Sequence, residues 1–243
     1  MQLYACEEQG HIALARSAKK GVDYLCPECK GKVRVRRGHH RQPHFFHLTH
    51  NDNCRQSGKS AIHLAVQHHL LDLLPEKEVS LECRFSEISR IADVVWMPQR
   101  LIFEVQCSPI TAEEVQQRNR DYGKLGFQVV WIFHDNRFNR WRVTAAEETL
   151  EIRPFYFTNM DADGRGMIYD HACVIQKGIR KQRSEKSQVD LSRPLPGVNG
   201  GVRFEGDFRN QPLNSSCQKE RNSKPWFSWY WVMFRMLLEH ASR

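Results

Sequence analysis

Two acidic residues stand inside runs that otherwise read as buried strand. Asp93 lies in Arg90-Ile91-Ala92-Asp93-Val94-Val95, and Glu104 lies in Leu101-Ile102-Phe103-Glu104-Val105-Gln106. Taking a lone carboxylate out of water is costly, so each needs a compensating cation or a set of donors. If the two runs pair as a hairpin about Pro98-Gln99, Asp93 falls directly across from Glu104, and Gln106 shares the Glu104 face because side chains alternate along a strand. Two facing carboxylates repel unless a cation sits between them. Mg2+ (or Mn2+) is the fitting ion, since it takes oxygen ligands, keeps several waters and bridges to phosphate. A register slip of one residue gives instead a surface hairpin with two solvated acids.

The surrounding pattern is that of an α/β layer. Residues 60–74 carry apolar side chains at 62, 65, 66, 70 and 73, the spacing of one helix face, and Pro75 closes the segment. Residues 79–85, 91–97 and 101–107 are rich in branched or aromatic side chains and are separated by turn-compatible pieces, which predicts three sequential antiparallel strands. Thr111, with Glu113 and Glu114 close behind, predicts a helix running to about Lys124 and ended by Gly126. Residues 127–133 read as a buried strand and 141–143 as a shorter one.

Ahead of this core, residues 2–5 and 11–15 read as a short hairpin, and a metal-type cluster follows. Cys26-Pro27-Glu28-Cys29 is a C-x-x-C pair, with His44, His47 and Cys54 downstream. Such a turn sets two thiolates on one side of a knuckle, and a second pair brought across by a hairpin closes a zinc tetrahedron. Cys26, Cys29, His47 and Cys54 are the assigned zinc ligands; His44 competes with His47 for the third position, and spacing does not choose. A closed four-ligand set is structural rather than catalytic. Eight cysteines with no export signal at the start of the chain point to reduced thiols and a cytoplasmic location, and no apolar run approaches the roughly 20 residues of a spanning helix.

The formal charge of +8 is unevenly spread. Lys and Arg outnumber Asp and Glu by 10 to 5 in residues 1–57 and by 11 to 5 in residues 177–225, whereas residues 58–176 carry 13 against 17. Basic ends suit a polyanion and an acidic middle suits a cation site, although a solvated surface with no partner gives the same counts. Lys30, Lys32, Arg34, Arg36, Arg37 and Arg41 alternate beside the metal cluster, a basic face suited to a nucleic-acid backbone. Residues 177–225 are poor in large apolar side chains and contain Pro194-Leu195-Pro196-Gly197 and Gly200-Gly201, which predicts a flexible basic linker. The expected organisation is therefore a zinc-binding module at 1–57, an α/β core at 58–176, the linker at 177–225 and an aromatic segment at 226–243. For that last segment, which includes Trp226, Trp229, Trp231 and Phe234, packing on the core is the default. A membrane surface, a protein partner or a second copy of the chain are the alternatives.

Taken in order, several of these features resemble the competence protein CoiA family. They are Tyr24-Leu25-Cys26-Pro27-Glu28-Cys29, His44-Phe45-Phe46-His47, Cys54, Ser60, His63, the run from Arg90 to Asp93, Glu104-Val105-Gln106-Cys107-Ser108, Arg118, Tyr122 and Trp131-Ile132-Phe133. The resemblance covers about residues 1–135. It implies a restriction-endonuclease-like core of the PD-(D/E)XK type behind a zinc-binding module, with nuclease chemistry in DNA uptake, recombination or defence. Carried over, Asp93 and Glu104 are metal ligands, Gln106 stands where many such nucleases have lysine, and Ser60, His63, Arg118 and Tyr122 line the site, the last two toward DNA.

Two departures from the family matter. The family usually has Glu immediately before the serine that matches Ser60; Lys59 here removes one carboxylate. Gln106 holds a water by hydrogen bonds but takes no proton, so activation of water falls to the metal. Lys59 reads either as a cation near the phosphate or as a surface lysine at a helix start. His63 reads as a phosphate ligand, a general acid or a packed histidine, and the motif order favours function. The expected activity is that of a Mg2+-dependent DNA endonuclease that nicks or cuts. The alternative is a zinc-stabilised DNA-binding or scaffold protein that lost the reaction through Lys59 and Gln106.

Overall fold

The computed structural model describes residues 1–38, 41–51, 54, 59–150, 154–197 and 201–208. The chain divides into two compact units, Met1–Cys107 with Met160–Gly166, and Ser108–Asn159 with the residues from Met167 onward.

In the first unit, β1 (Tyr4–Cys6), β2 (Ile12–Leu14), β3 (Tyr24–Leu25), β4 (Lys32–Gly38) and β5 (Arg41–His47) form one sheet in the order β2-β1-β3-β4-β5. β4 alternates strictly: Val33 and Val35 are buried, while Lys32, Arg34 and Arg36 are exposed. Its inner face joins Ala5, Tyr24 and Phe45, with the Tyr24 and Phe45 rings edge-on at 5.1 Å. A core this small does not hold a sheet by burial alone.

Helix α1 (Ala61–Leu73) follows. The Ser60 hydroxyl accepts the His63 N–H at 3.2 Å, satisfying a donor of the first turn, and extended backbone at Leu74 ahead of Pro75 ends the helix. α1 buries Leu64, Ala65, Val66, Gln67, His68 and Leu70, and packs on β5 and on β6 (Val79–Phe85), β7 (Arg90–Trp96) and β8 (Leu101–Gln106). These three strands pair antiparallel in sequence order.

Polar ties link residues on either side of position 57 within the first unit. Arg16 donates to both carboxylate oxygens of Asp72 at 2.6 and 2.9 Å, the Tyr4 hydroxyl donates to the Glu82 carbonyl at 2.6 Å, and Arg84 pairs with Glu28.

The second unit starts with α2 (Ala112–Lys124), capped by the Thr111 hydroxyl accepting the Glu114 N–H at 3.2 Å. Strand β9 (Gln128–His134) is buried from Val129 onward, as a strand covered on both faces must be. Helix α3 (Ala145–Glu148) has a capping box between Thr144 and Glu147. β10 (Phe155–Thr158) runs parallel to β9, and β11 (Ile168–Asp170) antiparallel to β10. β12 (Cys173–Gln176) and β13 (Ile179–Arg183) form a hairpin, β14 (Ser187–Gln188) pairs with β11, and β15 (Asp190–Pro196) pairs with β16 (Val202–Glu205). The strand expected at 141–143 is reduced to one bridge, Arg142 to Ile179.

Residues 177–225, expected as a flexible linker, carry β13 to β16 over their first part. A few side chains suffice where composition counted too little: Val189, Leu191 and Phe204 are buried, and the Tyr156 hydroxyl donates to Asp207 at 2.9 Å. Arg180 is itself buried and pairs with the buried Glu147 at 2.7 Å. The aromatic segment 226–243 lies outside the described residues. Among the described residues no helix is long and apolar enough to cross a membrane.

Arg180→Met leaves Glu147 buried without its cation, so a loss of about 3–5 kcal/mol is expected in urea unfolding. Removing the exposed partner of Asp163 with Arg165→Met is expected to cost less than about 0.5 kcal/mol by the same measurement.

Candidate functional site

Cys26, Cys29, His47 and Cys54 bring their ligand atoms within 4.8 Å of one another. The Cys26 and Cys54 sulfurs are 3.7 Å apart, and Cys29 Sγ is 3.2 Å from His47 Nε2. A tetrahedral zinc with sulfur at about 2.3 Å spaces neighbouring ligands roughly 3–4 Å apart, so the four donors fit that ion. The knuckle is built by backbone: the Cys26 N–H donates to the Gly31 carbonyl at 2.8 Å, and the Lys30 N–H to the Cys26 carbonyl at 2.9 Å. A Cβ at Gly31 would lie 3.3 Å from Cys29 Sγ, a tight contact against one of the four donors.

Burial pushes the Cys26 thiol up to about 12, so a thiolate at that position requires a cation. Burial holds His47 below its ordinary value, which keeps a ring lone pair available. The choice between His44 and His47 falls to strand geometry. Three residues apart on β5, they point to opposite faces, and His44 Nδ1 lies 2.8 Å from the Gln42 carbonyl instead.

The second cluster is built on the same unit by α1 and by β6 to β8. Trp96 pairs with Leu101, Val95 with Ile102 and Val94 with Phe103, where the ladder ends; Asp93 and Glu104 are the next residue on each strand, and the Asp93 carboxylate takes the Val105 N–H. On the other side Leu81 pairs with Val94 and Cys83 with Ala92, which sets Glu82 opposite Asp93. Glu82, Asp93 and Glu104 thus make a row of acids on three adjoining strands, each at most 6% exposed.

Glu82 is absent from the sequence reading. In Val79-Ser80-Leu81-Glu82-Cys83-Arg84-Phe85 it falls on the polar side of the alternation; only carrying the hairpin register across to β6 would have found it. Its backbone is left-handed, φ +49°, uncommon for a residue with a side chain.

Asp93 is saturated with donors. Its Oδ1 accepts from Lys59 Nζ at 2.9 Å and Gln67 Nε2 at 3.1 Å and lies 3.0 Å from His63 Nε2, while Oδ2 accepts the Val105 N–H at 2.9 Å. Lys59 Nζ also reaches Glu82 Oε1 at 2.8 Å. Burial alone would raise the Asp93 carboxyl, but the charges and hydrogen bonds of His63 and Lys59 outweigh it and hold the group well below the usual carboxylate range. Burial would lower Lys59; Asp93 and Glu82 reverse that and hold its ammonium above its ordinary value.

Ser60 serves as the helix cap, Gln106 ends β8 partly buried, and burial with the Asp93 charge pushes the Cys107 thiol up to about 12. Gln67, also absent from the sequence reading, is fully buried and steadies Asp93 through both its carboxylate and its backbone carbonyl. The donor set suits a hard, oxygen-seeking cation such as Mg2+ or Mn2+, and Glu82 Oε2 is a buried acceptor with no hydrogen-bond partner.

The basic face is smaller than the sequence suggests. Asp23 pairs with Arg34 and lies 3.6 Å from Lys32; Arg36 lies over the Phe46 ring at 4.3 Å; Arg37 donates to the Arg16 carbonyl at 2.8 Å. The Arg41 side chain lies outside the described residues. In the second unit, Arg118 pairs with Glu114 at 2.9 Å. Tyr122 is fully buried, which corrects its assignment to DNA contact: the apolar face of an amphipathic α2 takes it inside.

Residues 8–57 match the N-terminal domain of competence protein CoiA, and residues 59–171 match its nuclease-like domain. The chain belongs to the competence protein CoiA family. It is similar to competence protein CoiA of Bacillus subtilis (strain 168), 29% identical over 123 residues, which is 48% of this chain and 33% of that protein. The chain thus spans about a third of the length of the curated relative it matches. No solved structure matches it. The family's N-terminal segment contains the whole Cys3His cluster, and its nuclease-like segment contains the whole carboxylate row with Lys59 and His63.

Two measurements follow. Elemental analysis is expected to give zinc in the parent and in His44→Ala, and to lose it in His47→Ala and Cys54→Ser. Because the Asp93 pKa is depressed in the fold, its stabilisation is present above the ordinary carboxylate pKa of about 4 and is lost as pH falls toward the folded value. The urea-stability gap between the parent and Asp93→Asn is therefore expected to be full at pH 7 and to narrow steadily below about pH 4.

Proposed function

We propose that this chain is a divalent-metal-dependent deoxyribonuclease with a restriction-endonuclease-like core, acting on DNA as an endonuclease. The observation that supports the reading is the row of buried acids, with Asp93 and Glu104 each one step beyond the ladder that joins their strands, inside the segment that matches a nuclease-like domain. Asp93 and Glu104 would hold Mg2+ or Mn2+, which supplies Lewis acidity for attack of water on a phosphodiester.

The chain's own residues do the rest. Gln67 and the Val105 N–H fix the Asp93 carboxylate, and His63 and Lys59 supply N–H groups beside it that offset charge on a phosphate. Gln106 shares the Glu104 face and orients a water by its amide. Arg36 and Arg37, on the strand next to the metal knuckle, supply sequence-independent attraction to the DNA backbone, which weakens as salt rises.

One observation favours a second reading. Lys59 already bridges Glu82 and Asp93, so a carboxylate pair compensated from within needs no metal, and a DNA-binding scaffold without hydrolysis would keep the same fold. Incubation with supercoiled plasmid and Mg2+ or Mn2+ separates the two. Nicked or linear product is expected from the parent and is lost, with DNA binding kept, in Asp93→Ala and Glu104→Ala. Product that persists in both variants removes these residues from the chemistry, and no product with any divalent ion supports the scaffold.

A further inference from the structure

Lys59 Nζ lies 2.8 Å from Glu82 Oε1 and 2.9 Å from Asp93 Oδ1, with the lysine side chain only 12% exposed. It occupies the place between two carboxylates that a cation site would use. The second oxygen of Glu82 is buried and has no hydrogen-bond partner, although the residue is 0% exposed. A carboxylate buried with one oxygen paired and the other idle is incompletely compensated. The left-handed backbone at Glu82, and the Tyr4 hydroxyl on its carbonyl at 2.6 Å, hold this carboxylate in the row.

We propose that Glu82 is a further ligand carboxylate of the divalent-cation site, and that Lys59 is its built-in competitor, an ammonium latch across Glu82 and Asp93 that excludes the ion while it is closed. The proposal rests on the metal-dependent reading of the same site. Mg2+ or Mn2+ takes carboxylate oxygen at about 2.0–2.2 Å, so an ion on Asp93 Oδ1 and Glu82 would meet the ammonium at a distance where two cations repel strongly. Lys59 leaves its pair only for another anion. A DNA phosphodiester is the anion that the proposed function brings to this place, which couples opening of the latch to substrate. Lys59 sits just ahead of the Ser60 cap, outside the helix, so its withdrawal disturbs no helical hydrogen bond.

The test is calorimetric titration of the zinc-loaded full chain with Mn2+, in the absence of DNA. The parent and Lys59→Arg, which retains the cation, are expected to bind Mn2+ weakly. Lys59→Met is expected to bind at least tenfold more tightly, and Lys59→Met with Glu82→Gln to lose that gain. If Lys59→Met does not fold, Lys59→Gln with Mn2+-dependent melting temperature reads the same change, because an ion that binds only the folded chain raises its Tm. A folded Lys59→Met or Lys59→Gln that binds no more tightly than the parent overturns the latch. A double variant that keeps the full gain removes Glu82 from the ligand set. Plasmid cleavage is not the readout, so a latch without hydrolysis and hydrolysis without a latch remain distinguishable.

Discussion

A carboxylate taken out of water must be met by charge or by donors, and the first compact unit is organised around that demand. Asp93 sits on the middle strand of β6-β7-β8, where its two oxygens meet Lys59, His63, Gln67 and the Val105 N–H. Three of those partners come from α1 or the residue just before its cap, so the helix is tied to the sheet by the acid's need for compensation as well as by its apolar face. Glu82 has a left-handed backbone within β6, and Tyr4, from the N-terminal sheet, donates to its carbonyl.

Stability and function pull in different directions at this place. Paired ions buried together contribute little net stability, whereas losing one partner is costly. A row of three acids with one bridging ammonium is therefore poor as a device for holding strands together, and makes sense as a site whose charge balance is meant to change. The Cys3His cluster is the opposite case: four donors that could hold a zinc ion meet over a backbone-bonded knuckle, and a metal held there would brace a sheet with a small core.

Much of this was legible in residue order. The helix at α1, the three antiparallel strands, the helix at α2 and the buried strand β9 follow from periodicity and capping residues, and the turn at Pro98-Gln99 gave the hairpin register. The cysteine spacing gave the Cys3His cluster to within one histidine. Other features were hidden for specific reasons. Glu82 alternates onto the polar side of its own run, so local pattern argues for solvent. Arg34 counts as free positive charge until Asp23, eleven residues away, is found against it. Tyr122 reads as a site residue by resemblance, while the burial of α2 decides that it is core. Residues 179–205 read as linker because strands closed by a few buried side chains and the buried Arg180–Glu147 pair leave little compositional trace.

What the sequence determined by itself is what depends on spacing along one element or one tight turn: which residues alternate, where helices start, which thiols share a knuckle and in what register a hairpin pairs. What only the tertiary structure decided is what depends on segments far apart in the chain meeting in a medium of low dielectric. Lys59 and Glu82 are twenty-three residues apart and Tyr4 is seventy-eight from Glu82, yet one brings an ammonium to the Glu82 carboxylate and the other a hydroxyl to its backbone carbonyl. Compensation of a buried charge is set by distance in space, and one-dimensional order carries that distance only where the chain turns back on itself at once.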